Sequence, residues 1–283
     1  MKHDEIQDLV DRGIRELNEA LAGGKSNQLK LFLETMARFP NYSFNNCMLI
    51  ALQFPEATLI QGFHAWRKMG RTVIKGQKGI GIIAPMVYKA KDDDAKSPDE
   101  GDKDKRVVRG FKVVHVFDVS QTEGEDLPEF AKVTGDPGAN IAVVEQLIRN
   151  DGIELRYESI PGGAQGLSTK GAILIAPDLE PAKTLMTLVH EYAHEKLHAD
   201  PERRKATTKT IRETEAEAVA NVVCQAIGVD CLKHSSDYIQ LYRGDQNVLF
   251  KSLDHIQKTA AEILKAIGKH SSQNDAERKE AAV

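Results

Sequence analysis

Apolar residues Ile6, Leu9, Val10, Ile14, Leu17 and Leu21 return every three or four positions through an otherwise charged opening segment. That period puts them on one stripe of an α-helix, which Gly23-Gly24 ends. A second helix is predicted over residues 27–38, closed at Phe39-Pro40, because a residue before proline is pushed out of the helical region. A third starts at Ser43, whose hydroxyl can cap the first turn, and runs to Pro55. The texture then changes to short β-branched runs bounded by glycine. Residues 58–61 are short and apolar. Thr72-Val73-Ile74, residues 80–83 and residues 113–117 read as strands of one small antiparallel sheet.

Between the last two strands lies KAKDDDAKSPDEGDKDKR, residues 89–106. Such dense charge cannot bury enough surface to fold, so a long flexible excursion is predicted. Pro128, Gly135 and Pro137 mark residues 124–137 as the best domain boundary. Beyond it the pattern gives a helix near 139–150, a strand at 153–157, a turn at Pro161-Gly162-Gly163 and a strand at 171–176. A long helix follows, capped by Asp178 or Glu180 with Pro181 near its first position. Further helices cover 211–228 and roughly 246–267, and the polar tail is expected to be disordered. The fold expected is therefore α+β. A small helical and antiparallel-sheet domain (1–129) precedes a second domain (130–268) with a sheet above a long helix, and a tail occupies 269–283.

A length of 283 residues suits two domains, and 41% hydrophobic with 28% charged residues suits a soluble protein with a real core. The three cysteines are odd in number, not in CxxC spacing and set in or beside apolar runs, so they read as reduced, buried thiols. The N-terminus lacks the apolar stretch of a signal peptide and no run is long enough to span a membrane, which together point to the cytoplasm. A net charge of −4 means that any nucleic-acid role must rest on a local patch. One exists. From Gln61 to Lys89 the chain carries Arg67, Lys68, Arg71, Lys75, Lys78 and Lys89 with no acid, and Phe63, His64 and Trp66 sit beside them. Cationic grooves with aromatic platforms hold single strands, each stacked base contributing ~1–3 kcal/mol. Phe63, Trp66, Arg67, Lys68, Arg71, Lys75 and Lys78 are the candidate contacts to single-stranded DNA. For Trp66 a core role is the competing reading.

The strongest chemical signal is His190-Glu191-Tyr192-Ala193-His194, an HExxH on the long helix. Histidines four apart share one helix face, so both imidazoles can reach one tetrahedral zinc. Glu191 is then placed to take the proton of the water that zinc activates. His198 lies ~12 Å along the axis from His190, too far to share the ion, and reads as structural or surface. A catalytic zinc wants a third protein ligand. Glu213 and Glu217 stand one turn apart on the next helix. One can ligate while the other orients an imidazole N–H. Glu213 is taken as the ligand and Glu217 as the orienting acid, with the reverse open; Glu215 should point elsewhere. Tyr238 is the candidate donor to an oxyanion. The strand at 171–176 could pair with an extended peptide.

HEYAHEKLH followed by ETEAEAVANVVCQAIG resembles the gluzincin-type metallopeptidases of the ImmA/IrrE group. That resemblance implies a zincin-like peptidase domain, with Glu213 as ligand and Glu217 as the outer acid. Tyr42–Asn46, Gly62–Gly70, Val73–Gly79 and Val116–Thr122 are similar to the ArdC-like single-stranded DNA-binding domain. Both halves in this order resemble the ArdC-like antirestriction family. The expectation is a zinc metallopeptidase coupled to a single-stranded DNA-binding domain, acting on a protein or peptide and serving antirestriction or defence on a mobile element. The alternative is a non-catalytic protein with a structural zinc that masks DNA, although a structural site has no use for Glu191. A nuclease is disfavoured, since no carboxylate-rich two-metal cluster is evident.

Overall fold

The computed structural model describes residues 3–25, 27–89, 106–126, 137–229 and 246–280. The chain divides into two compact units, Met1–Gly13 with Met48–Leu127 and Ile14–Cys47 with Pro128–Val283. Helices α1 (His3–Ala22) and α3 (Phe44–Gln53) are shared between them, whereas α2 (Asn27–Arg38) lies wholly in the second. The packing thus differs from a single cut at residue 129: α2 buries Leu29, Phe32, Leu33 and Met36 and packs on a helix of the second unit, residues 209–226. An amphipathic stripe announces a buried face but not which core receives it.

In the first unit follow β1 (Ile60–Gly62), α4 (Phe63–Lys68), β2 (Arg71–Val73), β3 (Ile80–Lys89), β4 (Arg106–Asp118) and β5 (Thr122–Gly124). The strands form two sheets rather than one. β1-β4-β3 is antiparallel throughout, and β2 pairs with β5 alone. A 3-10 turn at Val119–Gln121 makes the difference. Asp118 accepts from the Ser120 amide at 3.0 Å while the Gln121 side chain accepts from the Asp118 amide at 2.9 Å. The chain is turned there, so the next residues run beside β2. Asp118 also takes the Thr58 and Leu59 amides at 2.7 and 3.0 Å. Burial alone would raise this carboxyl; the bonds from Thr58, Ser120 and Leu59 outweigh it and hold it below the usual carboxylate range.

The second unit continues with α5 (Pro137–Asn150), β6 (Glu154–Tyr157), β7 (Gly166–Thr169), β8 (Ala172–Ile175), α6 (Pro181–His198), α7 (Pro201–Ala206), α8 (Lys209–Ala226) and α9 (Gln246–Glu280). The sheet order is β6-β8-β7, with β6 parallel and β7 antiparallel to β8. α6 packs on α5, α8, β7 and β8, burying Leu185, Leu188, Val189 and Ala193. β8 is the central strand, so both its edges are already paired. The expected peptide-pairing strand at 171–176 is corrected by this topology: among the described residues the outer strand on that side is β7, which the sequence pattern did not show. α9 continues as helix to Glu280, through residues read as a disordered tail; no proline interrupts them, and Ala276–Glu280 are good helix formers.

Among the described residues no helix is long and apolar enough to cross a membrane. Cys47 and Cys224 are both buried, and burial pushes the Cys47 thiol up to about 12. Cys231, most of the charged excursion and most of the 124–137 boundary lie outside the described residues.

Candidate metal centre and aromatic-basic surface

The apolar face of α6 looks into the core, which leaves its other face to carry the chemistry. His190 Nε2 and His194 Nε2 lie 3.1 Å apart. α8 starts at Lys209, where the Thr208 hydroxyl caps the Ile211 amide at 3.3 Å. Its Ala216, Ala218, Val219 and Ala220 are buried, and small residues let α6 and α8 approach closely. The first exposed turn of α8 thereby delivers Glu213, whose Oε2 is 3.5 Å from His190 Nε2 and 3.4 Å from His194 Nε2.

These three atoms form a nearly equilateral triangle. A tetrahedral ion with ligands at ~2.0–2.1 Å has ligand–ligand edges of ~3.3–3.4 Å. The donor set therefore fits one small divalent cation, with the fourth vertex open. Among the described residues His190, His194 and Glu213 are the His/Cys/Asp/Glu group close enough to hold a metal. Hydrogen bonding to His190 and His194 holds the Glu213 carboxyl far below its ordinary range. Glu217, one turn further along α8, is half-buried and not part of this cluster.

Glu191 is buried beside the triad. Burial pushes its carboxyl up; the two histidines oppose the shift and Glu213 adds to it, and the Ser168 amide donates to it. The strand partner must come very close for this, and it does so at Gly166. A Cβ there would collide with Glu191 Oε1 and would lie 2.6 Å from Thr187 Cγ2 and 2.7 Å from Glu191 Cγ. Only glycine fits. Gly166, Leu167, Ser168, Glu191, His194 and Glu213 line a cleft of about 220 Å³.

Behind His194 the sequence reading missed a polar chain. His194 Nδ1 is 3.2 Å from His198 Nδ1, and His198 Nε2 is 2.8 Å from Glu215 Oε2. Arg203 Nη2 donates to both Glu215 oxygens at 2.9 Å. Glu215 does point away from the triad, as its helix phase requires, yet it is fully buried rather than solvated. Burial would raise it, but bonds from His198 and Ser252 and the Arg203 charge hold it low. The i+8 spacing of His198 and the odd acid between Glu213 and Glu217 were the available sequence marks. Tyr238 lies outside the described residues.

In the first unit the candidate contact residues separate. Phe63, Arg67, Lys68, Lys75 and Lys78 are exposed, and Phe63 packs edge-on against His64 with centroids 5.7 Å apart. Arg71 is committed to Thr122 Oγ1 at 2.9 Å and to the Glu125 carbonyl. Trp66 corrects the reading as a base platform: it is fully buried, and its Nε1 donates to the Phe117 carbonyl at 2.9 Å. Its hydrophobic mass and single N–H are both spent inside the fold. Exposed rings occur instead on the β3–β4 sheet. Phe111 is 59% exposed, and His115 shares its face of β4, opposite the buried Val116. Gly81, which has no side chain, is the β3 partner of His115.

The fold and site define a two-unit α+β protein bearing an HExxH helix whose histidines meet a glutamate of the next helix. Residues 3–117 match the family model of the N-terminal domain of anti-restriction factor ArdC. Through those residues the chain is similar to the ArdC anti-restriction factors. It resembles the antirestriction ArdC protein from the R388 plasmid in its metal-free crystal structure (19% identity, TM-score 0.53, 93% of this chain and 98% of that one). The Mn(II)-bound structure of that protein matches similarly (18% identity, TM-score 0.51, 92% and 98%). At such identity the likeness is one of fold. The chain is also 26% identical over 321 residues to an uncharacterized protein of Bacillus anthracis, covering 97% of this chain. It spans about half, 53%, of that curated relative's length.

Proposed function

We propose that the chain is a metal-dependent peptidase coupled to a single-stranded DNA-binding unit, serving antirestriction or defence on a mobile element. The observation that carries the reading is the compact His190–His194–Glu213 triangle with Glu191 buried beside it and an edge strand along the same cleft. A divalent ion bound by the three donors would supply Lewis acidity and lower the pKa of an attacking water. Zinc is the ion the N,N,O donor set favours, and the Mn(II) form of the R388 protein makes manganese the comparison to run. Glu191, kept from easy ionisation by burial, takes the proton of the attacking water and returns it to the leaving amine. β7, the outer strand of the sheet among the described residues, would pair with an extended peptide and place a backbone carbonyl beside the triad. Tyr238 remains the proposed oxyanion donor, and Glu217 the acid that orients a ligand imidazole N–H.

The ligand roles divide by metal affinity. Glu213→Ala is expected to weaken binding beyond the roughly 10–100-fold that an orienting partner costs, while Glu217→Ala stays within that range. Competition titrations with a chromophoric chelator check this, and a larger loss in the Glu217 variant exchanges the two roles.

Single strands would lie over Phe63, Phe111 and His115, with Arg67, Lys68, Lys75 and Lys78 on the phosphates, as stacking and charge together require. The test of the whole reading uses the full chain loaded with zinc or manganese, incubated with host lysate with and without single-stranded DNA. New protein termini are mapped, and Glu191→Gln serves as the control. Termini that appear with the wild type and not with Glu191→Gln support peptidase action, and dependence on DNA shows that the units are coupled. If the control yields the same termini, the peptidase reading fails; a DNA-masking protein would still be expected to bind DNA in both forms.

A further inference from the structure

We propose that His198, anchored by Glu215 and Arg203, is a positioning residue that fixes the tautomer of His194 and so keeps its Nε2 lone pair aimed at the metal. This rests on the reading of His190, His194 and Glu213 as ligands.

The argument is an accounting of protons. The chain begins at Glu215, which is fully buried and ion-paired to Arg203 Nη2 at 2.9 Å from each oxygen, with Ser252 of α9 as a further donor. An ionised carboxylate can only accept hydrogen bonds. His198 Nε2, 2.8 Å from Glu215 Oε2, must therefore carry a proton. In a neutral imidazole the other nitrogen is then bare. That bare Nδ1 stands 3.2 Å from His194 Nδ1, so it accepts, and His194 must hold its proton on Nδ1. The remaining nitrogen of His194, Nε2, is left with its lone pair, and it is the atom that faces His190 Nε2 at 3.1 Å and Glu213 Oε2 at 3.4 Å. The reverse arrangement fails at both ends. It would put two bare acceptors together at Glu215 and His198, and an N–H where a ligand lone pair is needed.

The three rings make this possible because residues 190, 194 and 198 stack one turn apart on α6, with centroid separations of 4.8 and 5.4 Å. His198 is too far along the helix to ligate, yet it is placed to orient the ring that does. α7 contributes through Arg203, and α8 contributes twice, presenting Glu213 to the ion and Glu215 to the support. An ion at the triad would thus tie α6, α7 and α8 together.

Outer partners of ligating histidines typically change metal affinity by roughly 10–100-fold. His198→Leu should weaken Zn(II) binding by that factor in chelator competition. His198→Gln should restore most of it, because its amide can accept from His194 and donate to Glu215. Circular dichroism in chelator establishes that each variant is folded. Long-range proton–nitrogen correlation spectra of the zinc-loaded wild type should show His194 protonated at Nδ1 and His198 at Nε2. A folded His198→Leu that binds zinc within about threefold of wild type, against that expected range, overturns the proposal, as does a Nδ1-protonated His198 in the spectra. Should His198→Leu not fold, the wild-type spectra decide. His190→Ala keeps the two ideas apart: if it loses zinc and folded His198→Leu does not, the ligand reading stands and the positioning role falls. If it keeps zinc, both fall.

Discussion

His190→Ala and His194→Ala are each expected to give a folded chain that no longer retains metal, while the wild type is expected to hold one zinc or manganese per chain. The expectation of folding follows from exposure. The two side chains are 23% and 14% exposed and belong to no apolar cluster, so truncation opens no core cavity. The loss of metal follows from the donor count. Three protein atoms at about 3.1–3.5 Å from one another make the site, and removing one leaves an exposed carboxylate and a single imidazole. The readout need not be activity. An ion that binds only the folded state at a hundred times its Kd stabilises by ~2.7 kcal/mol. For a unit of this size each kcal/mol moves Tm by ~2–4 °C. Zinc should therefore raise the wild-type Tm by roughly 5–11 °C and leave both variants unmoved. Full metal content in either variant, or an undiminished shift, would sink the site.

The helices and the HExxH were legible because both are local. Period and caps located α1, α2, α5, α6 and α8, and a four-residue spacing on one helix already implies two imidazoles on one face. Glu213 was named on the next long helix, α8, which packs beside α6 after the intervening α7. What depended on long-range pairing was not legible. Nothing local says that Thr72-Val73 pairs with Thr122-Glu123 rather than joining β3 and β4. Nor does residue order reveal that β8 is central and β7 the edge, because β7, GLST, lacks a β-branched run. The support chain of His198, Glu215 and Arg203 joins three helices, and each member alone resembles a common surface residue. Its identity emerges only when α7 folds Arg203 back over α8.

Burial was the least legible quantity in the first unit, and Trp66 shows why. Next to Arg67 and Lys68 in sequence, it reads as an interleaved aromatic; on the six-residue α4 its ring falls on the inner face. Trp66→Ala is therefore expected to destabilise the protein by ~3–5 kcal/mol, the range for large aromatics truncated in a core. Part of that cost is the Phe117 carbonyl, which loses the indole N–H at 2.9 Å. Against a total stability of ~5–15 kcal/mol, the variant should unfold early or lose the first unit's structure. Phe63→Ala and Phe111→Ala should behave in the opposite way. Both rings are exposed, 41% and 59%, so stability should change by no more than ~0.5 kcal/mol. Single-strand affinity should fall in each by the ~1–3 kcal/mol of one stacked base, with the salt slope unchanged because no phosphate contact is removed. Charge reversal at Lys75 and Lys78 should instead flatten that slope. Thermal unfolding followed by circular dichroism, with fluorescence anisotropy on a labelled oligonucleotide at two salt concentrations, separates the cases. A Trp66→Ala protein that melts like wild type but has lost DNA would mean that the ring leaves the core to stack. Exposed-ring variants that bind as wild type would move the interface away from this face of the sheet.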